Sequence, residues 1–244
     1  MTTVEGSTGR TAGEHHHDHR DVTGGWLRPA VFGVTDGLVS NTALLAGVAG
    51  GLHGSGSSHA LVVTGLAGLV AGAFSMSTGE YISVASQTEL TRAEIEIEKA
   101  EIARVPEAEQ AELAAIYRSR GVDAELAAEV ARQLSRDPEQ AWRIHAREEL
   151  GVDPDDLPSP WTAASSSLAA FALGALVPLL PYLLGATSLL GPVLLAAFAL
   201  FSSGALVARF TNRTALYSGA RQLLLGGAAT GVTYLIGRLV GAGV

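Results

Sequence analysis

Several residue types are scarce or missing in this chain of 244 residues. It has no cysteine, a single lysine (Lys99) and few aromatic side chains, which make up 6% of the sequence. The lack of cysteine excludes disulfide bridges, thiolate zinc sites and cysteine nucleophiles. The sequence also has no phosphate-binding glycine loop with its lysine and no recognisable pair of nucleophile and base. It therefore predicts a protein that is not an enzyme and uses no cofactor.

Charged residues are absent from one long stretch, residues 157–208. A single transmembrane helix takes ~20 apolar residues, so this stretch can cross a bilayer twice. Hydrophobic residues make up 48% of the whole chain and glycine accounts for 29 residues, a composition that favours close packing of membrane helices. The sequence thus predicts an integral membrane protein in contact with a lipid bilayer.

The acidic residues are concentrated elsewhere, in residues 87–156. This stretch holds 18 of the 24 Asp and Glu residues and 9 of the 16 basic residues, and the net charge is −8. So many charges must face water. Nucleic acid is excluded as a partner because binding it requires a basic surface. An acidic module built into a membrane protein indicates that the protein handles cations.

Hydrophobic runs and helix-breaking residues predict an all-α membrane protein with five transmembrane helices and a helical acidic module between helices 2 and 3. The predicted spans are 29–51, 60–79, 161–184, 189–208 and 215–240. We divide the chain into a disordered His-containing tail (1–25), transmembrane helices 1–2 (26–86), the acidic module (87–157) and transmembrane helices 3–5 (158–244).

Inside the module, turn and cap residues predict the helix boundaries. Helix 2 has no Pro or Gly after Gly79 to stop it before Pro106, so it should continue into the module as far as about Arg104. Pro106 suits the first turn of the next helix and Gly121 its end. Asp123 and Asp137 should cap two further helices, the last ending near Gly151.

Arginine predicts the orientation in the membrane. The turns 52–59 and 185–191 carry no Lys or Arg, whereas the opposite side carries Arg20, Arg28, Arg209 and Arg213. By the positive-inside rule, the N-terminus and the module should be cytosolic. Fifteen arginines against one lysine favour a GC-rich prokaryotic source and its plasma membrane; in a eukaryotic source, the vacuolar membrane is expected.

Two carboxylates lie in or beside the first two spans. Asp36 lies inside span one, which also contains Asn41. A carboxylate at the bilayer centre costs ~2.5–3.5 kcal/mol on insertion scales, which favours a role in a cation path; an ion pair with Arg221 is the alternative. Met76 and Glu80 are one turn apart on span two, and thioether with carboxylate suits a transition metal. Core packing for Met76 and a helix end at the headgroups for Glu80 are the alternatives.

The module repeats carboxylates at helical spacing. Glu98 and Glu101 are three residues apart, as are Glu109 and Glu112, and Glu94 precedes Glu98 by four. Such spacings place like charges side by side on a helix, which is unfavourable without a cation. Helical bundles build divalent-metal sites from such pairs, and His145 with Glu149 could complete one from a later helix. A solvated charged face is the alternative for any single glutamate.

A histidine run, His15-His16-His17-Asp18-His19, lies in the N-terminal tail. Its imidazoles could bind metal ions in no fixed geometry, and a low-complexity tail without function fits the sequence equally well.

Together these residues resemble the vacuolar iron transporter family. The resemblance covers nearly everything after residue 26. It is carried by VTDGLVSNTALLAGVAG (34–50), AGAFSMSTGEYISVASQTE (71–89), EIEIEKAEIARVPEAEQAEL (94–113), HAREELG (145–151) and LGALVPLLPY (173–182).

This resemblance implies a homodimer of five-span protomers with the ion path between two copies of span one, exporting cytosolic Fe²⁺, and often Mn²⁺, in exchange for protons. It implies that Asp36 and Met76 line the path. It also implies that metal is captured by Glu98, Glu101, Glu109, Glu112 and Glu149. Some plant members have paired methionines where this chain has His145 and Ala146, and a carboxylate where it has Gly68. We expect Glu80 to take over part of that carboxylate's role.

Two other functions are compatible with the same pattern. A membrane-tethered buffer or sensor would bind divalent metal through the module without translocation. A scaffold would use the acidic helices to bind another protein and would bind no metal. Asp36 favours a transporter, because a membrane anchor has no use for an intramembrane acid.

Overall fold

The computed structural model describes residues 25–52, 58–209 and 213–243, and within these ranges the regular structure is entirely helical. These described ranges form eight helices: α1 (Leu27–Gly51), α2 (Ser58–Arg104), α3 (Pro106–Ser119), α4 (Ala124–Leu134), α5 (Pro138–Glu148), α6 (Pro160–Leu183), α7 (Leu190–Val207) and α8 (Ala215–Gly241). The all-α prediction is confirmed. The histidine run and the rest of the predicted disordered tail, apart from Gly25, lie outside the described residues.

Five of these helices are long and apolar enough to cross a membrane, namely α1, α2, α6, α7 and α8. Their bounds agree with the five predicted spans to within a few residues, apart from the predicted extension of span two. The agreement follows from the hydrocarbon thickness of a bilayer, which sets a minimum length for each apolar run.

Helix α2 is a single helix of 47 residues, as the absence of a helix breaker predicted. At 1.5 Å per residue it is about 70 Å long, more than twice the ~30 Å of bilayer hydrocarbon. Its charged C-terminal half must therefore project from the membrane. The helix thus connects the membrane part of the protein rigidly to the acidic module.

The module helices begin and end where the cap residues predicted. The Asp123 carboxylate accepts hydrogen bonds from the backbone N–H groups of Glu125 and Leu126, and Asp137 does the same for Glu139. Gly121 and Gly151 follow helix ends with φ of 94° and 68°, a conformation that favours glycine. These caps fix the lengths of α3, α4 and α5.

Helix α1 lies at the centre of the membrane part, packed against α6 and α8 over most of its length and against α2 and α7 more briefly. Glycine permits this packing. A Cβ atom on Gly37 would overlap the Phe171 carbonyl of α6, and one on Gly237 of α8 would overlap the Gly47 carbonyl. Backbones that approach this closely hold the α1 side chains in a fixed orientation.

The linker that follows α5 is tied to the module. Arg143 of α5 binds the Asp155 carboxylate at 2.6 Å, and Arg147 binds Asp153 at 3.0 Å. Thr88 of α2 donates a hydrogen bond to the Pro158 carbonyl oxygen at 3.2 Å. The module is therefore connected to α6 through a short segment held at several points.

Candidate metal sites in the module and between the membrane helices

Three of the predicted metal ligands come together in the module. Glu98 of α2, Glu109 of α3 and His145 of α5 are all buried, and each offers one ligand atom within 4.8 Å of the other two. Each residue comes from a different helix, so the cluster exists only because the three helices pack together. Two carboxylates and an imidazole form a donor set that suits Fe²⁺ or Mn²⁺.

The shortest contact in this cluster joins His145 Nδ1 to Glu98 Oε1 at 2.8 Å. Neither atom makes a properly oriented hydrogen bond to any described residue, although both are fully buried. Buried polar atoms are nearly always hydrogen-bonded, so such a pair needs an explanation. A divalent cation bound by both atoms would satisfy them, because each presents a lone pair to it.

Burial and mutual repulsion raise the proton affinity of the carboxylates in and around the cluster. Burial, with the charges of Glu149, Glu109 and other neighbouring glutamates, raises the pKa of Glu98 to about 7. The same causes raise the pKa values of Glu109 and Glu149. Burial lowers the pKa of His145, which favours the neutral imidazole that binds metals. A bound cation would relieve the repulsion between the carboxylates.

The remaining predicted module residues lie around this cluster. Glu149 caps the C-terminal end of α5, with its carboxylate 3.9 Å from His145 Nδ1. Glu101 is half-buried and lies 3.7 Å from the Arg104 guanidinium. Glu112 is exposed, yet its charge contributes to the raised pKa of Glu98. Glu94 is exposed and does not belong to the cluster.

The second candidate site is an open cavity of about 290 Å³ between α1, α2 and α6. Asp36 and Met76, predicted separately from two different spans, both line it. The remaining lining residues are all uncharged: Ser40, Asn41, Leu44, Gly68, Gly72, Ser75 and Phe171. Glu80 is half-buried one turn beyond Met76 and is not among the lining residues.

The alternative partner for Asp36 is not supported. Among the described residues Asp36 forms no ion pair, and the guanidinium of Arg221 instead lies 5.9 Å from the ring centre of Tyr217 on its own helix. The Asp36 carboxylate is therefore available to the cavity.

Asn41 lines the cavity as well, and its sequence pattern predicted no role for it. Its side chain is only 2% exposed, and its amide nitrogen donates a hydrogen bond to the Ala175 carbonyl oxygen of α6 at 2.7 Å. The amide oxygen has no hydrogen-bond donor among the described residues. The only sequence signal was a polar residue within an apolar span, five positions after Asp36.

Comparison with known proteins places this architecture in a family. A model of the VIT family matches residues 27–238. The chain belongs to the VIT family. A protein named vacuolar iron transporter from Acanthamoeba castellanii is 38% identical over 225 residues, covering 89% of this chain and 79% of its own. Vacuolar iron transporter 1 from Arabidopsis thaliana is 32% identical over 232 residues, covering 93% and 91%.

Membership of the VIT family confirms the resemblance predicted from the sequence motifs. The matched region includes both candidate sites, from Asp36 in α1 to Glu149 at the end of α5. With its five apolar helices, this VIT family member is an integral membrane protein.

Proposed function

We propose that this protein exports Fe²⁺, Mn²⁺ or both from the cytosol across a membrane, in exchange for protons. One observation carries the proposal: a buried carboxylate–imidazole cluster outside the membrane and a carboxylate–thioether cavity inside it share the continuous helix α2. Glu98 follows Met76 by 22 residues, which is about 33 Å along the helix. Capture and passage would thus occur at two sites on one rigid element.

The relatives support the choice of substrate. Proteins named vacuolar iron transporter are similar to this chain over most of its length. The ligands agree with that substrate, since carboxylate oxygen and imidazole nitrogen suit Fe²⁺ and Mn²⁺. Both the family and the sites favour a transporter rather than an enzyme.

The module would collect the ion. The ligand atoms would come from Glu98, Glu109 and His145. At the rim of the cluster, the Glu149 carboxylate lies 3.9 Å from His145 Nδ1. Glu101 and Glu112 add negative charge around the cluster, which raises the local cation concentration, and the more distant Glu94 adds to the same field. Imidazole replaces the softer thioethers expected at this position in some plant relatives, so the cluster favours harder ions such as Mn²⁺.

The membrane path would lie between two copies of α1. Phe32, Asp36, Ser40 and Leu44 follow one another at four-residue spacing, so they share one face of the helix. Phe32 is 58% exposed and Leu44 39% exposed, whereas α6 and α8 cover other faces of α1. A second copy of the chain placed against this face would enclose the cavity.

Proton exchange would follow from Asp36. An ionised carboxylate inside the membrane can bind the cation, and protonation of that carboxylate releases the cation. The proton is then carried in the direction opposite to the exported ion. Glu80, one turn closer to the module than Met76, would pass the ion between the module and the cavity. The arginine distribution supports a cytosolic module, in a plasma membrane if the source is prokaryotic.

Uptake of Fe²⁺ and Mn²⁺ into proteoliposomes that contain the purified protein, with an internal pH indicator, tests the transport proposal. We expect metal uptake that is accompanied by proton movement in the opposite direction. Metal binding without uptake would overturn the transport proposal. Metal uptake without proton movement would support transport but refute exchange for protons.

Disulfide cross-linking tests the homodimer, and the absence of native cysteine makes each introduced cysteine unique. We expect Phe32→Cys to form a covalent dimer in the membrane under mild oxidation. Leu173→Cys on α6, also exposed at 64%, is the matched control and should remain monomeric. Equal cross-linking of the two variants would argue against an α1 interface.

A membrane-tethered metal buffer or sensor is the second candidate, and one observation favours it. The three buried ligands of the module belong to a single chain, so metal could bind there without a membrane path. The proteoliposome assay separates the two functions, because a buffer binds metal and yields no flux.

A further inference from the structure

The residue in the membrane cavity that most needs an explanation is Asn41. Its carboxamide is buried inside a membrane helix, yet only one of its two polar atoms has a partner among the described residues. A carbonyl oxygen in the bilayer interior has no water to replace a missing donor unless it lines a cavity. Asn41 meets this condition, because it is one of the residues that line the cavity.

The chemistry of the hydrogen bond fixes which atom of Asn41 remains free. The Ala175 carbonyl oxygen can only accept, so the atom that faces it at 2.7 Å is the amide nitrogen. The carboxamide is thereby anchored to α6, and its oxygen points away from this anchor. Holding one end of a side chain fixes the direction of the other end, as outer partners do for metal ligands.

The direction of the oxygen is given by Gly68 of α2. A Cβ atom built on Gly68 would lie 2.8 Å from Asn41 Oδ1 and 2.5 Å from Leu44 Cδ2. The oxygen therefore faces the part of α2 that lines the same cavity as Asp36 and Met76. Glycine at position 68 leaves the space into which this oxygen projects.

We propose that the carboxamide oxygen of Asn41 is a cation ligand of the transmembrane path, acting together with the Asp36 carboxylate and the Met76 thioether. This inference rests on the proposed transport function and adds a residue that sets its ion preference. An amide oxygen is a neutral and hard donor, which Mn²⁺ accepts readily and a soft ion such as Cd²⁺ does not. It also carries no titratable proton, so its own strength as a donor does not change when protonation of Asp36 releases the ion.

Two variants remove the oxygen from the path by different means. Asn41→Leu replaces the carboxamide with an apolar side chain of similar volume. Gly68→Ala leaves Asn41, Asp36 and Met76 intact but places a methyl group against Oδ1. The matched control for the glycine change is Gly79→Ala on the same helix, where an added Cβ lies within 4 Å of no other described residue. Ser167→Ala is the control for Asn41→Leu. Ser167 is also fully buried, and its hydroxyl has no hydrogen-bond partner in the part of the chain that the structure describes, but it does not line the cavity.

The measurement is Mn²⁺ uptake by the full-length protein in proteoliposomes, with Cd²⁺ as the competing ion. In both test variants we expect the apparent KM for Mn²⁺ to rise about tenfold or more, the scale of lost metal-site interactions. The inhibition constant of Cd²⁺ should change by less than about threefold, because the thioether remains. Both controls should behave like the unmodified protein.

Two outcomes would overturn the assignment. Equal losses for Mn²⁺ and Cd²⁺ would mean that Asn41 only supports the packing of α1 on α6. An Asn41→Leu protein that transports Mn²⁺ normally would remove the oxygen from the path, whatever Gly68→Ala does. Should Asn41→Leu fail to fold, Gly68→Ala decides, through the same comparison between the rise in the apparent KM for Mn²⁺ and the change in the inhibition constant of Cd²⁺. Absence of uptake by the unmodified protein would instead refute the transport function, which distinguishes the two failures.

Discussion

The two candidate sites differ in how completely one chain builds them. In the module, three buried ligands from α2, α3 and α5 converge within 4.8 Å. In the membrane, the cavity is open, and Asp36, the one carboxylate among its described lining residues, is only half-buried. A site that captures an ion benefits from several converging charges, whereas a site that passes it on must release it again. On the proposed function, the difference assigns capture of the ion to the module and its passage to the membrane helices.

The largest effect should come from Asp36→Asn, which would separate passage from capture. We expect uptake in proteoliposomes to fall to background, because the amide cannot take up and release a proton or balance the charge of the ion. Metal binding by the module should be unchanged, as measured by Mn²⁺ titration of the purified variant. Flux at the unmodified level would contradict the role of Asp36.

The next largest effect should come from Glu98→Gln, which alters capture and leaves passage intact. We expect Mn²⁺ affinity to fall by about 100-fold, since even outer partners of metal ligands change affinity by about 10–100-fold. The rate of uptake at saturating Mn²⁺ should persist. Glu94→Gln is the matched control on the same helix, because Glu94 is exposed and outside the cluster. Equal losses of Mn²⁺ affinity in both variants would mean that the module attracts the ion only through its overall negative charge.

The pKa of Glu98 predicts how the metal-free protein responds to pH. Burial and its glutamate neighbours raise that pKa from 4.5 to about 7 in the folded state. The folded form therefore binds the proton more readily than the unfolded chain, and the thermal unfolding midpoint should rise as pH falls from about 7 to about 4.5. Mn²⁺ binding should weaken over the same range because protons compete with the ion.

Glu98→Gln is the control for this pH dependence, because glutamine does not titrate. The variant should show a flatter dependence of the unfolding midpoint on pH than the unmodified protein. A midpoint that falls on acidification by the same amount in both proteins would contradict the assignment to Glu98.

The smallest effect should come from Asp123→Ala, which tests whether the module site depends on all of its helices equally. Loss of the hydrogen bonds to Glu125 and Leu126 should cost about 1 kcal/mol, as for other N-caps. Helix α4 supplies no ligand to the cluster, so Mn²⁺ affinity should stay within about threefold of the unmodified value. Isothermal titration and thermal unfolding measure the two quantities. A large loss of affinity would mean that α4 positions the cluster after all.

The helices were largely predictable from sequence because their causes are local. Apolar runs set the membrane spans, and Pro106, Asp123 and Gly121 mark module helix boundaries through their own backbone and capping chemistry. The long helix α2 followed from the absence of any breaker before Pro106. The position of Glu94 outside the cluster was not predictable, because helical spacing gives Glu94 and Glu98 a common stripe but cannot tell which residue a neighbouring helix covers.

By itself the sequence determined the five apolar helices, the acidic module, the ionisable residues in and beside the membrane and the family to which they belong. Only the tertiary structure decided which of those residues meet. It placed Glu98, Glu109 and His145 together, left Asp36 without Arg221 and turned the Asn41 oxygen towards Gly68. The physical reason is that periodicity acts within one helix, whereas a ligand set is made by packing between helices that lie far apart in the sequence.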